Sequence, residues 1–210
     1  KNKFAHFQKE ITIDDVMASR PVASPLKVLD CSPVSDGAAA VVLVPLDEAK
    51  KYNDVPIEII ASAHATGAIA LHSRRTFTSL YATKIAASKA YKMAHVEPKD
   101  IDVCEVHDCF TSAEVMAIED LGFFEKGKGG FASADGETAI NAKIPVNTSG
   151  GLKGCGHPVG ATGVKQAVEI VWQLRGQAEK RQVNGAEIGL THNVGGSGAT
   201  CLVHIMRRTD

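Results

Sequence analysis

Three short stretches hold the side chains that could do chemistry. CEVHDCFT (Cys104–Thr111) gathers His107, Asp108 and Cys109 where an apolar run ends. NTSGGLKGCGHPVGATG (Asn147–Gly163) sets Cys155 and His157 among six glycines. LTHNVGGSGAT (Leu190–Thr200) places His192 and Asn193 just before Gly195, Gly196 and Gly198. His107 and Cys109 are two positions apart, so on an extended chain they point the same way. The glycines around His157 remove side chains and let a ligand approach the backbone. Pro158 suits the first position of a helix, which would put His157 at or near its N-cap. The electropositive helix start biases a ring there toward its neutral, proton-accepting form.

These residues admit three readings. His-x-Cys plus Cys-x-His could supply two nitrogens and two sulfurs to zinc. Neither pair has the usual ligand loop, however, and a glycine-rich helix start suits an oxyanion better. Carbanion or acyl-transfer chemistry needs a base, a proton-relaying thiol and donors around a developing oxyanion; residues of each type are present. The third reading is structural: glycine-rich turns between strands and helices that happen to carry His.

Periodicity gives the elements that would carry these stretches. A short helix is expected over roughly 13–19, ending before Pro21. Ala38–Val44 is a continuous apolar run and reads as a strand buried on both faces. Residues 46–52 read as one or two helical turns and Pro56–Thr66 as a second strand. The clearest early helix lies within 76–96, with Leu80, Ile85, Ala86, Ala90 and Met93 near one face. A strand over 101–106 leads into the first site stretch, and Ser112–Leu121 is a helix stopped by Gly122. Residues 125–138 read as a surface loop, 143–151 as a strand and Val159–Arg175 as the second strong helix. The runs 187–194 and 199–206 form an antiparallel hairpin. This order predicts an α/β layered domain with one mixed sheet, its site stretches at strand ends where ligands gather.

Bulk properties exclude some classes. The 210 residues are 44% hydrophobic and 22% charged, with a formal net charge of -1. No global field exists to attract nucleic acid or an anionic membrane, and no apolar run is long enough to span a bilayer. Five Cys without a paired Cys-x-x-Cys spacing point to free thiols in a reducing compartment. No signal peptide is visible, and the start at Lys1 without a Met fits a fragment or a processed product.

Taken jointly, HDCF (His107–Phe110), GCGHPVGATG (Gly154–Gly163) and THNVGGSGAT (Thr191–Thr200) resemble the carboxy-terminal half of a thiolase. The likeness is greatest to sterol-carrier-protein-linked thiolases and archaeal acetyl-CoA acetyltransferases. SDGAAAVVL (Ser35–Leu43) and WQLRGQAEKRQV (Trp172–Val183) are similar to that family too. The resemblance implies a thiolase-like βαβαββ fold, a mixed sheet with packed helices. Residues 1–30 would end a loop region covering coenzyme A, and 31–210 would form the carboxy-terminal domain. The nucleophilic Cys would lie in an absent amino-terminal half.

By the same resemblance, His157 activates that Cys and His107 donates to the thioester oxygen. Cys109 moves the α-proton, and Gly156, His192, Asn193 and Gly195 bind substrate. Ordinary thiolases take the relay thiol from a terminal Cys-x-Gly; here the place reads HNV, with His192 as the replacement. No metal and no cofactor are implied beyond coenzyme A thioesters as substrates. The partners implied are acyl-CoA or CoA, the amino-terminal half and further copies of the chain. HMG-CoA synthase and a zinc-bearing OB-fold protein join them if the source is archaeal. Neither nucleic acid nor membrane is implied. The setting is cytoplasmic lipid metabolism, in the isoprenoid or mevalonate route. Two alternatives are a thiolase-fold aldolase acting on steroid side-chain CoA esters and a non-catalytic scaffold half. The wide apolar arc of 159–175 is expected to need a partner to cover it.

Overall fold

The computed structural model describes residues 1–209. Ahead of the main sheet come α1 (Ile13–Ala18), a small ribbon of β1 (Pro21–Ala23) and β2 (Leu26–Lys27), and α2 (Leu46–Ala49). The body follows as β3 (Ile57–Thr66), α3 (Tyr81–Ala94), β4 (Val103–Glu105), α4 (Thr111–Asp120) and α5 (Gly129–Ala134). It continues through α6 (Gly151–Cys155), α7 (Thr162–Leu174), β5 (Ile188–Gly195) and β6 (Thr200–Arg208). The four-stranded sheet has the order β3-β6-β5-β4, antiparallel except for the parallel β4–β5 pair. The succession β3-α3-β4-α7-β5-β6 is the expected βαβαββ arrangement, with α4, α5 and α6 inserted.

Alternation and small residues build the first face. In β3, Ala61, Ala63 and Ala65 are buried while Ser62, His64 and Thr66 face solvent. Helix α3 answers with Ala82, Thr83, Ala86, Ala87 and Ala90, so methyl groups meet methyl groups and the helix lies close to the sheet. Leu190, Val203 and Ile205 extend that core. The opposite face packs Val103 and Met206 against Ile170 and Leu174 of α7.

Helix α7 is unusual in what it buries. Thr162, Gln166, Glu169 and Gln173 are buried together with Ile170 and Leu174. Val164, Val168, Val171 and Trp172 are only half-buried. Glu169 and Gln173 of this set are satisfied chiefly by the chain returning after α7, and Gln166 by His192 and Asn193 of β5. Arg181 forks onto Glu169 at 2.7 and 2.9 Å, and the Gln173 amide donates to Thr148 Oγ1 and to the Arg181 carbonyl. The apolar arc expected over 159–175 is thus partly covered by this chain itself, since Phe4 stacks on Trp172 at 5.7 Å.

Several expected elements differ. Ala38–Val44 is not a strand: no neighbouring strand pairs with it among the described residues, and Val42 and Leu43 are exposed. An apolar run becomes a strand only beside a partner edge. The strand expected over 143–151 shrinks to a Cys104–Val146 bridge, because Asn147 turns the chain with φ 51°. The expected loop over 125–138 contains α5, whose Gly129 N–H donates to the Glu119 carboxylate at 2.9 Å. The glycine-rich stretch holds the short helix α6, and the long helix after it starts at Thr162. His157 is therefore not at the N-cap of α7; Pro158–Ala161 forms a turn between them.

Candidate active site

Strand parity selects which side chains reach the site. β4 and β5 run parallel with Val103 opposite Gly189 and Glu105 opposite Thr191. Continuing by twos brings His107 level with Asn193, both on the α7 face. His192 points the other way. It is fully buried, with Nε2 3.0 Å from Thr83 Oγ1 of α3. Its side chain has no exposed surface in this chain, and its hydrogen-bond partner lies on the α3 side of the sheet. Asn193 lies on the His107 side, with its amide donating to Gln166 Oε1 at 3.0 Å.

His107 and His157 come from stretches fifty positions apart and meet edge to face, ring centroids 4.9 Å apart at 88°. Burial first, then the His157 ring, push His107 down to about 4, with the neighbouring Asn193 amide working the other way. Burial lowers His157 as well. Both rings are therefore neutral at physiological pH.

Their tautomers are set by their neighbours. Thr162 Oγ1 has one hydrogen and lies 3.1 Å from the Pro158 carbonyl and 2.7 Å from His157 Nδ1. With that hydrogen on the carbonyl, Thr162 accepts from His157 Nδ1–H and Nε2 is left as a base; with it on the ring, the tautomer reverses. His107 Nδ1 is buried without a partner among the described residues. An unpaired acceptor is less costly than an unpaired N–H, so the contacts within this chain favour the His107 proton on Nε2.

Cys109 is half-buried and follows on the same segment. Burial first, then the Asp108 carboxylate, raises its thiol above the usual range. Its carbonyl accepts from Ser32 N–H at 2.9 Å, tying the amino-terminal stretch to the site. Ser35, unremarked as a site residue in the sequence, accepts the His157 N–H on Oγ at 2.8 Å. Gly156 has φ 87°, and a Cβ there would collide with the Ser35 side chain; only glycine fits. At Gly195 a Cβ would meet open space, so no contact within this chain requires glycine there.

A buried carboxylate, Glu105, and a half-buried one, Glu114, join the stretches from behind. Glu105 accepts Ser149 N–H at 3.1 Å and Ser149 Oγ at 2.6 Å, and Lys165 reaches both side chains at 3.2 and 2.7 Å. Glu114 accepts from the Asn147 amide at 2.7 Å, and Asn147 Oδ1 accepts Val106 N–H at 2.9 Å. Cys155 turns inward and donates to the Ser149 carbonyl at 3.1 Å, so it takes no part in a ligand set with His157. Among the described residues, no group of three or more His, Cys, Asp or Glu is arranged to hold a metal ion. No described helix is long and apolar enough to cross a membrane.

The family described as thiolase C-terminal domain-like matches residues 62–208. The acetyl-CoA acetyltransferase of Methanothermobacter thermautotrophicus is 59% identical over 207 residues, covering 99% of this chain and 54% of that protein. Sterol carrier protein 2 of Oryctolagus cuniculus is 42% identical over 203 residues, covering 94% of this chain and 37% of that protein. Among solved structures, the Ltp2-ChsH2(DUF35) aldolase superposes with a TM-score of 0.85 at 25% identity. That match covers 97% of this chain and 53% of that one. The chain spans about half the length, or less, of the curated relatives it matches.

Proposed function

The chain belongs to the thiolase family, as its carboxy-terminal domain, and we propose that it completes an acetyl-CoA acetyltransferase whose nucleophilic Cys lies in an amino-terminal half. The observation that carries this reading is the facing pair of neutral rings, His107 and His157, with Cys109 two residues beyond His107 on the same segment. His157 Nε2 takes the proton of the nucleophilic Cys, which attacks an acyl-CoA carbonyl and releases CoA as its thiol. A second acetyl-CoA loses an α-proton to the Cys109 thiolate. Its enolate oxygen accepts from His107 Nε2–H, and its carbon attacks the acyl thioester. A carbon–carbon bond forms, the bond to the nucleophilic sulfur breaks, and 3-oxoacyl-CoA leaves.

The raised thiol of Cys109 makes the protonated form its resting state, so condensation draws on its minor thiolate form, the thiol proton having gone to solvent. The protonated form is the one needed in the reverse reaction, where it protonates the departing enolate. Asn193, Gly156 and Gly195 line the thioester side. On this reading CoA thioesters are the substrates, no further cofactor is used, and the assembly is a homo-oligomer in the cytoplasm. It would supply isoprenoid synthesis, with HMG-CoA synthase and a zinc-bearing OB-fold protein as partners.

The second reading is an aldolase acting on steroid side-chain CoA esters, supported by the likeness to the Ltp2-ChsH2(DUF35) aldolase. The experiment is to combine this chain with a half carrying the nucleophile. Formation of acetoacetyl-CoA from acetyl-CoA, and its thiolysis, supports the first reading. Cleavage of a 3-hydroxyacyl-CoA without acyl transfer supports the second.

A further inference from the structure

Asp108 follows His107 directly, yet its carboxylate turns away from the two rings. It is 8% exposed. Oδ1 accepts Leu152 N–H at 2.7 Å and Oδ2 accepts Lys153 N–H at 3.4 Å. These are opening N–H groups of α6, which have no partner within the helix. The contact is close by construction: a Cβ on Gly151 would overlap the Asp108 carboxylate, and Gly151 has φ 59°.

Helix α6 has five residues and no buried apolar side chain except Leu152, so packing alone holds it weakly. Its far end is Cys155, followed by Gly156 and His157. The backbone carrying His157 therefore hangs from a short helix pinned at one end by Asp108 and at the other by the Ser35 hydroxyl. We propose that Asp108 is a positioning residue: through α6 it sets where His157 stands relative to His107. It touches no reacting atom. The catalytic consequence rests on the thiolase reading above; the clamp itself does not.

The charge on Asp108 matters because two N–H groups face its two oxygens. In Asp108→Asn, the amide oxygen accepts one N–H and the amide NH2 opposes the other. Burial foremost raises the Asp108 carboxyl to about 6. The Leu152 N–H opposes that rise, Glu105 of β4 adds to it and Lys165 of α7 opposes it, while the Asp108 charge in turn raises Cys109 and, on α4, Glu114. Below that pH the native clamp gains a proton and loses one acceptor, so it comes to resemble the variant.

The test uses the complete enzyme, this chain together with its nucleophile-bearing half. Amide hydrogen exchange and single-turnover acylation by acetyl-CoA are measured for the native protein and Asp108→Asn. Exchange at Leu152 and Lys153 should rise about tenfold or more, the value of a hydrogen bond to a charged group, with β4 unchanged. Acylation should slow by up to about a hundredfold, the effect of a misplaced base, with KM within about twofold. The deficit should narrow as pH falls through about 6. Unchanged exchange at both amides overturns the clamp. Raised exchange with native acylation, or a deficit independent of pH, overturns the positioning role. If the native enzyme forms no acyl-enzyme at all, the thiolase reading fails, and exchange still decides the clamp.

Discussion

The rings of His107 and His157 stand edge to face, 4.9 Å between centroids, each kept neutral by burial. Two rings so close cannot both take a proton, because like charges repel at that distance. Replacing His157 with Gln should therefore raise the pKa of His107 from about 4, while burial keeps it below the ordinary value of 6.5. NMR titration of the His107 ring protons reads this directly. A His107 that titrates no higher in the variant would show that the two rings are not coupled.

Parity on β5 separates two adjacent residues. Asn193 faces His107, whereas His192 is buried against Thr83 on the other side of the sheet. His192→Ala should cost about 2–4 kcal/mol of stability, as large-to-small changes in a core do. Its effect on KM should be small. Asn193→Ala should do the reverse, lowering kcat about tenfold with little loss of Tm. Thermal melts and steady-state kinetics on both variants check the assignment. A larger kinetic loss in His192→Ala would return the role to His192.

Glu114 gives a pH dependence with a definite sign. Burial foremost, then the Asp108 carboxylate, raises it to about 7, against an ordinary value of 4.5. Between those values the folded chain holds a proton that the unfolded chain has lost, so this group's contribution to stability falls as pH rises. Glu114→Gln keeps an acceptor for the Asn147 amide and removes the charge. The variant should be more stable than the native protein at pH 8, by roughly 1–3 kcal/mol. The gain should vanish near pH 4. Urea denaturation at the two pH values measures it. A variant destabilised most at pH 8 would contradict the account.

The Arg181–Glu169 fork is buried on both sides, with side chains 1% and 2% exposed. Arg181→Met alone should cost about 3–5 kcal/mol, because it strands a buried carboxylate. Adding Glu169→Leu should recover much of that loss. Denaturant midpoints with unchanged m-values would establish it, and a double variant worse than the sum of the singles would refute it.

The sheet and its long helices were legible because alternation in Ile57–Thr66 and the runs around Tyr81–Ala94 and Thr162–Leu174 carry strong periods. The site stretches were legible as strand ends rich in His, Cys and Gly. What escaped depends on partners outside the local window. Ala38–Val44 has the composition of a buried strand but no pairing edge among the described residues. Helix α6 is hidden by glycines, and its anchor, Asp108, lies 44 positions away. That Asn193 and His192 face opposite sides of the sheet, with Asn193 level with His107, needed the β4–β5 register, which no single stretch contains. Ser35 reaches His157 across 122 positions, a contact no motif announces.

The division of labour between His157 and Cys109 is the central claim, and separating the two half-reactions tests it most directly. The complete enzyme is supplied with radiolabelled acetyl-CoA, and acyl-enzyme formation and acetoacetyl-CoA formation are followed separately. Cys109→Ala should form the acyl-enzyme at the native rate yet lose carbon–carbon bond formation by about a hundredfold or more, the worth of a proton-transfer group. His157→Ala should slow acylation itself. Native condensation in Cys109→Ala, or native acylation in His157→Ala, would contradict the account.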